Sequence, residues 1–326
     1  MRVAVTGGNG YLGAHIVRGF LLAGHEVQML VRHDDAALMS HLAELGPVST
    51  LHGDIRDSAT VATLLAGKDA VVHAAGVVGT DDRQEKAMWD INAYATEALL
   101  QQASDRGLDP IVSVSSYAAL FPPPGPIIGP DTPPADGKGA YSKTKAYADR
   151  AARRLQESGA PVVVTYPSSV VGPAFWTRPG VTEEGWVSIT KGRVAPRIRG
   201  AGMMMIDVRD VADVHAAVMK PGRGPKRYPC GGIMLSFDEM ISALEKGIRH
   251  RIHRIPMSPD LFRALGRISD LVGKVLPIGA AFSYEAAQLI TAAIPTDDSS
   301  TLTELGLRWR SPVEAIIATF AQNSPR

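Results

Sequence analysis

The chain reads as an α/β protein: a doubly wound parallel sheet with a smaller, mostly helical C-terminal lobe. Three observations predict this. Short β-branched runs alternate with helix-periodic stretches from Arg2 to Tyr166, the pattern of right-handed crossovers and a parallel sheet covered on both faces. The first run, Arg2 to Thr6, ends in a glycine-rich turn, and helical periodicity follows from Tyr11 to Ala23. Beyond Pro173 the alternation fails, and Leu235 to Ala321 is mostly helical with short extended pieces. The result is a Rossmann-type sheet, whose ligands gather at the C-terminal strand ends.

Composition narrows the setting. With 326 residues, 45% hydrophobic and 21% charged, the chain has the make-up of an ordinary soluble globular protein. A net charge of +1 gives no reason to expect nucleic acid or an acidic membrane surface as partner. The single cysteine, Cys230, excludes an internal disulfide and any cysteine-rich metal site, which suits a reducing cytoplasm. No signal peptide precedes Gly7-Gly8. The most apolar late stretch, Val275 to Ile294, is broken by Pro277, Gly279, Glu285 and Gln288 and reads as a buried or substrate-facing helix rather than a membrane span.

The first turn is Thr6-Gly7-Gly8-Asn9-Gly10-Tyr11-Leu12-Gly13. Glycines there permit a tight turn and close backbone approach to a pyrophosphate seated on the helix N-terminus. Two registers fit, Gly8-Gly10-Gly13 and Gly7-Gly10-Gly13. The second strand, Glu26 to Arg32, ends in an arginine where a carboxylate would favour NAD. Arg32 therefore points to the 2′-phosphate of NADP(H), although Asp34 and Asp35 follow closely. After the third strand, Val48 to His52, Asp54 suits either an adenine contact or the cap of a helix starting near Ser58. The fourth strand, Ala70 to His73, leads into Ala74-Ala75-Gly76, small residues on which a cofactor can lie. His73 has no partner at ligand spacing and reads as structural, not as a metal ligand.

A long helix, Lys86 to Arg106, carries Asn92, and the fifth strand, Ile111 to Val114, delivers Ser115-Ser116 to the sheet edge. Either serine could instead be a cap or turn residue. The Pro/Gly-rich connection Phe121 to Gly139 is too long for a plain turn and reads as a flap over the site. Next come Tyr141 and Lys145, four residues apart at a helix start. That spacing puts phenol and ammonium on one helical face, whereas Lys143 projects elsewhere. A cation beside the phenol makes it able to exchange a proton near neutrality. Val162 to Tyr166 is the sixth strand, followed by Pro167 to Pro173. Ala174 to Gly202 reads as loop with several arginines, Met203 to Val208 as a further strand and Asp210 to Met219 as a helix.

These residues resemble the extended short-chain dehydrogenase/reductases. The resemblance rests on the glycine turn, Asp54-Ile55, His73-Ala74-Ala75, Asn92-Ala93-Tyr94-Ala95-Thr96, Ser115-Ser116, Tyr141 with Lys145, and Asp207-Val208-Arg209-Asp210-Val211-Ala212. Arg32 and Tyr166-Pro167-Ser168-Ser169-Val170-Val171-Gly172-Pro173 resemble the dihydroflavonol 4-reductase and 3β-hydroxysteroid dehydrogenase-like branch. The resemblance implies that Tyr141 is the general acid/base and that Lys145 lowers its pKa and holds the nicotinamide ribose. It further implies that Ser116 binds the substrate oxygen and that Asn92 supports the site. The implied cofactor lining is Gly7, Gly10, Tyr11, Leu12, Gly13, Arg32, Asp54, Ile55, His73, Ala74, Ala75, Tyr141, Lys145, Pro167 and Val170. It divides the chain into a dinucleotide-binding domain, 1–172 with 203–234, and a substrate-binding lobe, 173–202 with 235–326. Family members often pair through two long helices, here Lys86 to Arg106 and Tyr141 to Glu157, so a homodimer is expected.

The expected activity is NADP(H)-dependent hydride transfer between the nicotinamide and a ketone or secondary alcohol. Phe175, Trp176, Trp186 and the methionines at 203 to 205 suggest an apolar, steroid- or flavonoid-like ring. One rival is a nucleotide-sugar 4-epimerase, for which the arginines from Arg178 to Arg199 could meet a diphosphate. Dehydration is disfavoured because Tyr117-Ala118-Ala119 stands where family dehydratases carry an acidic pair. The other rival, a non-catalytic cofactor-binding sensor, fits poorly with a chain that keeps both Tyr141 and Lys145.

Overall fold

The computed structural model describes residues 1–79, 82–135, 137–273 and 283–322. From the N-terminus, the elements up to the first crossover back through the sheet are β1 (Arg2–Thr6), α1 (Tyr11–Leu22), β2 (Glu26–Val31), α2 (Ala36–Ala43), β3 (Val48–His52), α3 (Ser58–Leu65) and β4 (Ala70–His73). A near-continuous helix follows, made of α4 (Glu85–Met88), a π-helical stretch over Trp89–Ala95, and α5 (Thr96–Asp105). Then come β5 (Ile111–Val114), a short 3₁₀ turn over Tyr117–Leu120, α6 (Ala140–Glu157), β6 (Val162–Pro167) and β7 (Ser169–Val171). The chain continues through α7 (Val181–Gly192), β8 (Val194–Ile198), β9 (Gly202–Asp207), α8 (Val208–Val218), β10 (Lys226–Cys230) and β11 (Ile233–Ser236). It ends with α9 (Phe237–Ile248), β12 (His253–Met257), α10 (Pro259–Gly273), α11 (Tyr284–Thr291), α12 (Ser299–Leu305) and α13 (Pro312–Gln322).

Seven strands form one parallel sheet in the order β10-β6-β5-β4-β1-β2-β3. Strand order reverses between β1 and β4, so the crevice for a ligand opens beyond the C-terminal ends of those two strands. Alternation along each strand buries both faces. Val3 and Val5 join one apolar cluster with Ile16, Val17 and Phe20, while Ala4 joins the opposite one with Leu64, Leu99 and Leu100. Each fully buried Val, Ile, Leu or Phe side chain among them contributes about 1.5–3 kcal/mol of transfer free energy. A third cluster, with Trp186, Phe237, Leu244, Phe262 and Phe320, forms the core of the C-terminal region.

The structure refines the sequence reading in three places. Met203 to Val208 forms a strand as expected, but that strand, β9, pairs with β7 and β11 in a separate three-stranded sheet, and the seventh strand of the main sheet is Lys226–Cys230, which the sequence reading does not include. The strand was hidden because Pro229 and the flanking charges depress its β character. The stretch Ala174 to Gly202 is not all loop, since it holds α7 and β8. The connection from Phe121, read as a flap, is anchored: Ile128 is buried, its N–H donates to the Pro295 carbonyl, and Arg227 and Arg153 donate to the Pro130 and Thr132 carbonyls. Of the late apolar stretch, 275–282 lies outside the described residues, and Glu285 and Gln288 stand on α11. Among the described residues no helix is long and apolar enough to cross a membrane.

Two buried histidines act as neutral struts. His73 bridges the Thr6 and Thr96 hydroxyls at 2.7 Å each, as its structural reading from sequence requires. His215 meets the Thr165 hydroxyl at 3.2 Å and the Val211 carbonyl at 2.7 Å. Burial pushes His73 down to about 3 and His215 to about 4. Below the ordinary histidine value of about 6.5 the unfolded chain takes up protons that the folded chain refuses, so these groups withdraw stability as pH falls. Urea unfolding of His215→Gln should lose stability less steeply than wild type between pH 6.5 and 4.5, by about 2 kcal/mol over that range. Parallel curves would contradict the neutral-strut account.

Candidate active site

The glycine turn sits at the point where strand order reverses. Gly7 has φ +74°, a region that disfavours L side chains, and a Cβ there would lie 2.5 Å from the Ala75 nitrogen and 2.6 Å from the Ala74 carbonyl carbon. A Cβ on Gly13 would overlap the Gly7 carbonyl, and the Gly10 N–H donates to that same oxygen at 3.0 Å. At Gly8 the nearest atom is Met29 Sδ, the yielding part of a flexible side chain. The geometry therefore selects the Gly7-Gly10-Gly13 register. α1 starts from Gly10 with no side-chain cap and no acid in its first turn, so Tyr11 and Leu12 open a helix end suited to an anion.

At the ends of β2 and β3, Arg32 is exposed. Asp34, which could oppose a phosphate there, is 3.0 Å from His52. Asp57 caps α3 by accepting from the Ala59 and Thr60 N–H groups. Asp54 therefore does not cap it: its carboxylate receives the Arg56 guanidinium at 2.9 and 2.6 Å. Those hydrogen bonds hold Asp54 down at about 2, with Arg32 adding to the lowering. Ile55 beside it packs against the second apolar cluster.

The proton-handling residues gather at the adjoining edge. Ser116 caps the 3₁₀ turn by accepting from the Ala118 N–H at 3.2 Å, which leaves its hydroxyl proton available to the neighbouring Tyr141 phenol, whose pKa it lowers. The reading of Ser116 as a cap holds, and capping leaves it beside Tyr141. Ser115 Oγ is buried without a hydrogen-bond partner. Lys145 is 8% exposed, and its ammonium donates to the Val114 carbonyl at 3.1 Å. Burial pushes it down to about 8. Burial raises the Tyr141 phenol, the Ser116 hydrogen bond lowers it, and Glu285 raises it further. The implied lowering of Tyr141 by Lys145 is not seen: burial dominates the phenol, and the group that lowers it is Ser116.

Asn92 lies inside the π-helical stretch, a distortion that often marks a functional position. Its Oδ1 accepts from the Val77 N–H at 2.7 Å, and its Nδ2 donates to the Val77 carbonyl at 2.8 Å and reaches the Thr144 hydroxyl at 3.5 Å. A Cβ on Gly76 would sit 3.1 Å from Asn92 Oδ1 and 3.7 Å from Lys145 Nζ, so backbone, amide and ammonium meet at one spot. Pro167 ends β6 and Val170 lies in β7, on the same side as the first apolar cluster. Tyr166 is spent internally: its hydroxyl donates to Asp149 at 2.6 Å, and Arg153 pairs with the same carboxylate at 2.8 Å.

Other expected substrate contacts are engaged elsewhere. Phe175 packs beside His15 and Arg18, Trp176 stacks on His41 at 3.8 Å, and Trp186 lies in the third core near Phe320. Arg197 pairs with Asp238. Sequence reasoning missed Glu183, whose carboxyl meets the Tyr11 hydroxyl, because its helix was read as loop. A Pro-Gly step followed by two acids at 183 and 184 was the available signal of a helix start. Among the described residues no group of side chains could hold a metal.

A glycine-bounded turn facing a helix start, next to a tyrosine, lysine and serine, defines a dinucleotide-dependent enzyme of the short-chain dehydrogenase/reductase class. Residues 3–231 match the NAD dependent epimerase/dehydratase family, and the chain belongs to that family. It is 28% identical over 317 residues to sterol demethylase protein B of Methylococcus capsulatus, covering 94% of this chain and 93% of that one. A protein of Synechocystis sp. named for dihydroflavonol 4-reductase is 29% identical over 328 residues, covering 96% and 91% of the two chains. These relatives agree with the branch that the sequence resembles. The UDP-glucose 4-epimerase of Bifidobacterium longum, solved with NAD+ and UDP, superposes with a TM-score of 0.75 at 19% identity, covering 98% and 97% of the two chains, and shares the fold.

The turn residues fit the cofactor, since the cradle exists only where side chains are missing. Gly7→Ala should cost at least about 2 kcal/mol of stability and abolish thermal stabilisation by added NADPH, whereas Gly8→Ala should be much milder. Equal melting of Gly7→Ala and wild type would contradict the close-approach account.

Proposed function

We propose that the protein is an NADP(H)-dependent oxidoreductase that moves a hydride between the nicotinamide and a ketone or secondary alcohol of an apolar, ring-bearing substrate. The observation that carries this is the gathering of Ser116 at the end of β5, Tyr141 at the start of α6 and the buried Lys145, whose ammonium donates to the Val114 carbonyl at 3.1 Å. Bound in the crevice, the nicotinamide supplies or accepts the hydride; protons are the work of the chain. With its phenol raised by burial, Tyr141 keeps its proton at neutral pH and suits the role of acid toward an oxygen gaining charge. The Ser116 hydroxyl is placed to share that developing charge. Lys145, at about 8, keeps most of its charge at pH 7 and opposes loss of the electron-rich oxygen from the site. Asn92, fixed through Val77, supports the lysine.

Preference for NADP(H) is supported by exposed Arg32, by Arg56 beside it on Asp54, and by the contact of Asp34 with His52 at 3.0 Å. An apolar ring is supported by the relative named for sterol demethylation, which spans nearly the whole chain. The region built on the third core would then be the substrate lobe, divided from the dinucleotide domain as the resemblance implies. A homodimer through α5 and α6 is supported by the partly exposed aromatic group Trp89, Tyr94 and Tyr147 on that surface. A cytoplasmic setting suits the single buried thiol.

Tyr141→Phe should lower kcat for reduction of a 3-ketosteroid or a simple cyclic ketone by about 10²- to 10⁴-fold while NADPH binding stays intact. Unchanged turnover would overturn the assignment. Arg32→Ser should weaken NADPH by about tenfold and leave NADH unaffected, as read by fluorescence titration. Equal losses for both cofactors would refute 2′-phosphate recognition.

A further inference from the structure

One buried carboxyl takes no part in the proton chemistry above. Glu183, in the first turn of α7, is 3% exposed, and no cation pairs with it among the described residues. Its Oε1 lies 2.9 Å from the Tyr11 hydroxyl and accepts from the Gly172 N–H at 3.0 Å. The same Tyr11 hydroxyl lies 2.7 Å from the Gly172 carbonyl, to which it donates. Glu183 Oε2 is buried without a partner. Three segments therefore meet here: the glycine turn, the end of β7 and the first turn of α7.

Counting protons separates the two forms of this carboxyl. A phenol has one proton to give, while a carbonyl and a carboxylate have none. Tyr11 cannot fully serve both the Gly172 carbonyl and an ionised Glu183. A proton on Glu183 supplies the missing donor and removes charge from a buried carboxyl that pairs with no cation among the described residues and has one unpartnered oxygen. Burial pushes Glu183 up to about 7, with Glu184 adding to the rise, against lowering by its own backbone N–H and by the Tyr11 and Gly172 hydrogen bonds. The other charged groups around the pair are Asp207 and its partner Arg209 at the start of α8, and His15 and Arg18 on α1. His15 is itself pushed down by burial and stays neutral.

We propose that Glu183 is a positioning residue for the cofactor: as a neutral acid it fastens Tyr11 of the glycine turn to Gly172, and cofactor binding is coupled to holding that proton. The inference rests on the NADP(H) reading of the turn. A pyrophosphate carries two negative charges, and bringing it to the start of α1 favours the neutral acid over the carboxylate. Binding above neutral pH must therefore take up a proton, and affinity falls as pH rises through about 7.

The test is calorimetric titration of the whole protein with NADPH at pH 7.5, in two buffers of different ionisation enthalpy, with Glu183→Gln as comparison. Wild type should take up about half a proton more than the variant, and its Kd should rise about three- to tenfold more between pH 6 and 8.5. The difference between the two proteins cancels the titration of the cofactor's own phosphate. Glu183→Gln, neutral at every pH, should stay near the wild-type affinity measured at pH 6. Identical proton uptake and identical pH dependence would overturn the proposal. Should the glutamine variant fail to fold, Tyr11→Phe keeps the ring and removes only the hydroxyl. Severalfold weaker NADPH binding at an unchanged melting temperature supports the fastening, and unchanged binding overturns it. A wild type that binds no NADPH would instead defeat the reading of the turn itself, a result distinct from either.

Discussion

The structure depends on one close backbone approach, where Gly7 lies against Ala74 and Ala75. The left-handed Gly7 turns the chain sharply out of β1, and a Cβ there would come within 2.7 Å of the Ala74 carbonyl oxygen. That approach occurs between the two strands where the sheet order reverses, so the crevice and the glycine turn have a common origin. The neighbouring side chains brace it. Thr6 bonds His73 at 2.7 Å and accepts from the Ala75 N–H at 3.3 Å, and His73 reaches on to Thr96. The strut, the turn and the helix bearing Asn92 are thereby one connected unit.

Around this unit, burial sets the electrostatics more than pairing does. The phenol of Tyr141 is raised and the ammonium of Lys145 lowered by the same cause, desolvation at the packed edge of the sheet. Both shifts favour neutral forms, and they set the two groups apart: the lysine gives up its proton well before the phenol does. Ser116 works in the opposite direction through one hydrogen bond. A carbonyl entering such a site meets a protonated phenol rather than a phenolate, which favours reduction at neutral pH. Glu183 follows the same logic beside Tyr11, where burial with no paired cation among the described residues favours the acid.

Much of this was legible in the sequence because it depends on local chemistry. The strand–glycine–helix start, the alternation of apolar runs up to Tyr166, and the helical spacing of Tyr141 and Lys145 are short-range signals, and the structure brings Ser116 to Tyr141 and Asn92 near Lys145. What stayed hidden depended on tertiary context. Lys226–Cys230 becomes a central-sheet edge strand only because β6 offers it a partner. α7 follows a Pro-Gly step in a stretch whose arginines resembled loop, and so Glu183 could not be linked to Tyr11 across 172 positions of sequence. The large aromatics, Phe175 and Trp186, suggested a pocket by composition and turned out to fill cores. The choice between the two glycine registers likewise needed backbone angles that no spacing rule supplies.

The central claim is that this crevice delivers a hydride to a carbonyl carbon. The most direct measurement is mass spectrometric tracking of deuterium from [4-²H]NADPH, both faces tested, during incubation with a 3-ketosteroid. The account predicts deuterium on the new carbinol carbon from one face of the nicotinamide and none from the other. Alcohol formed without label from either face, or label confined to the cofactor while the steroid is unchanged across a panel of cyclic ketones, would contradict it.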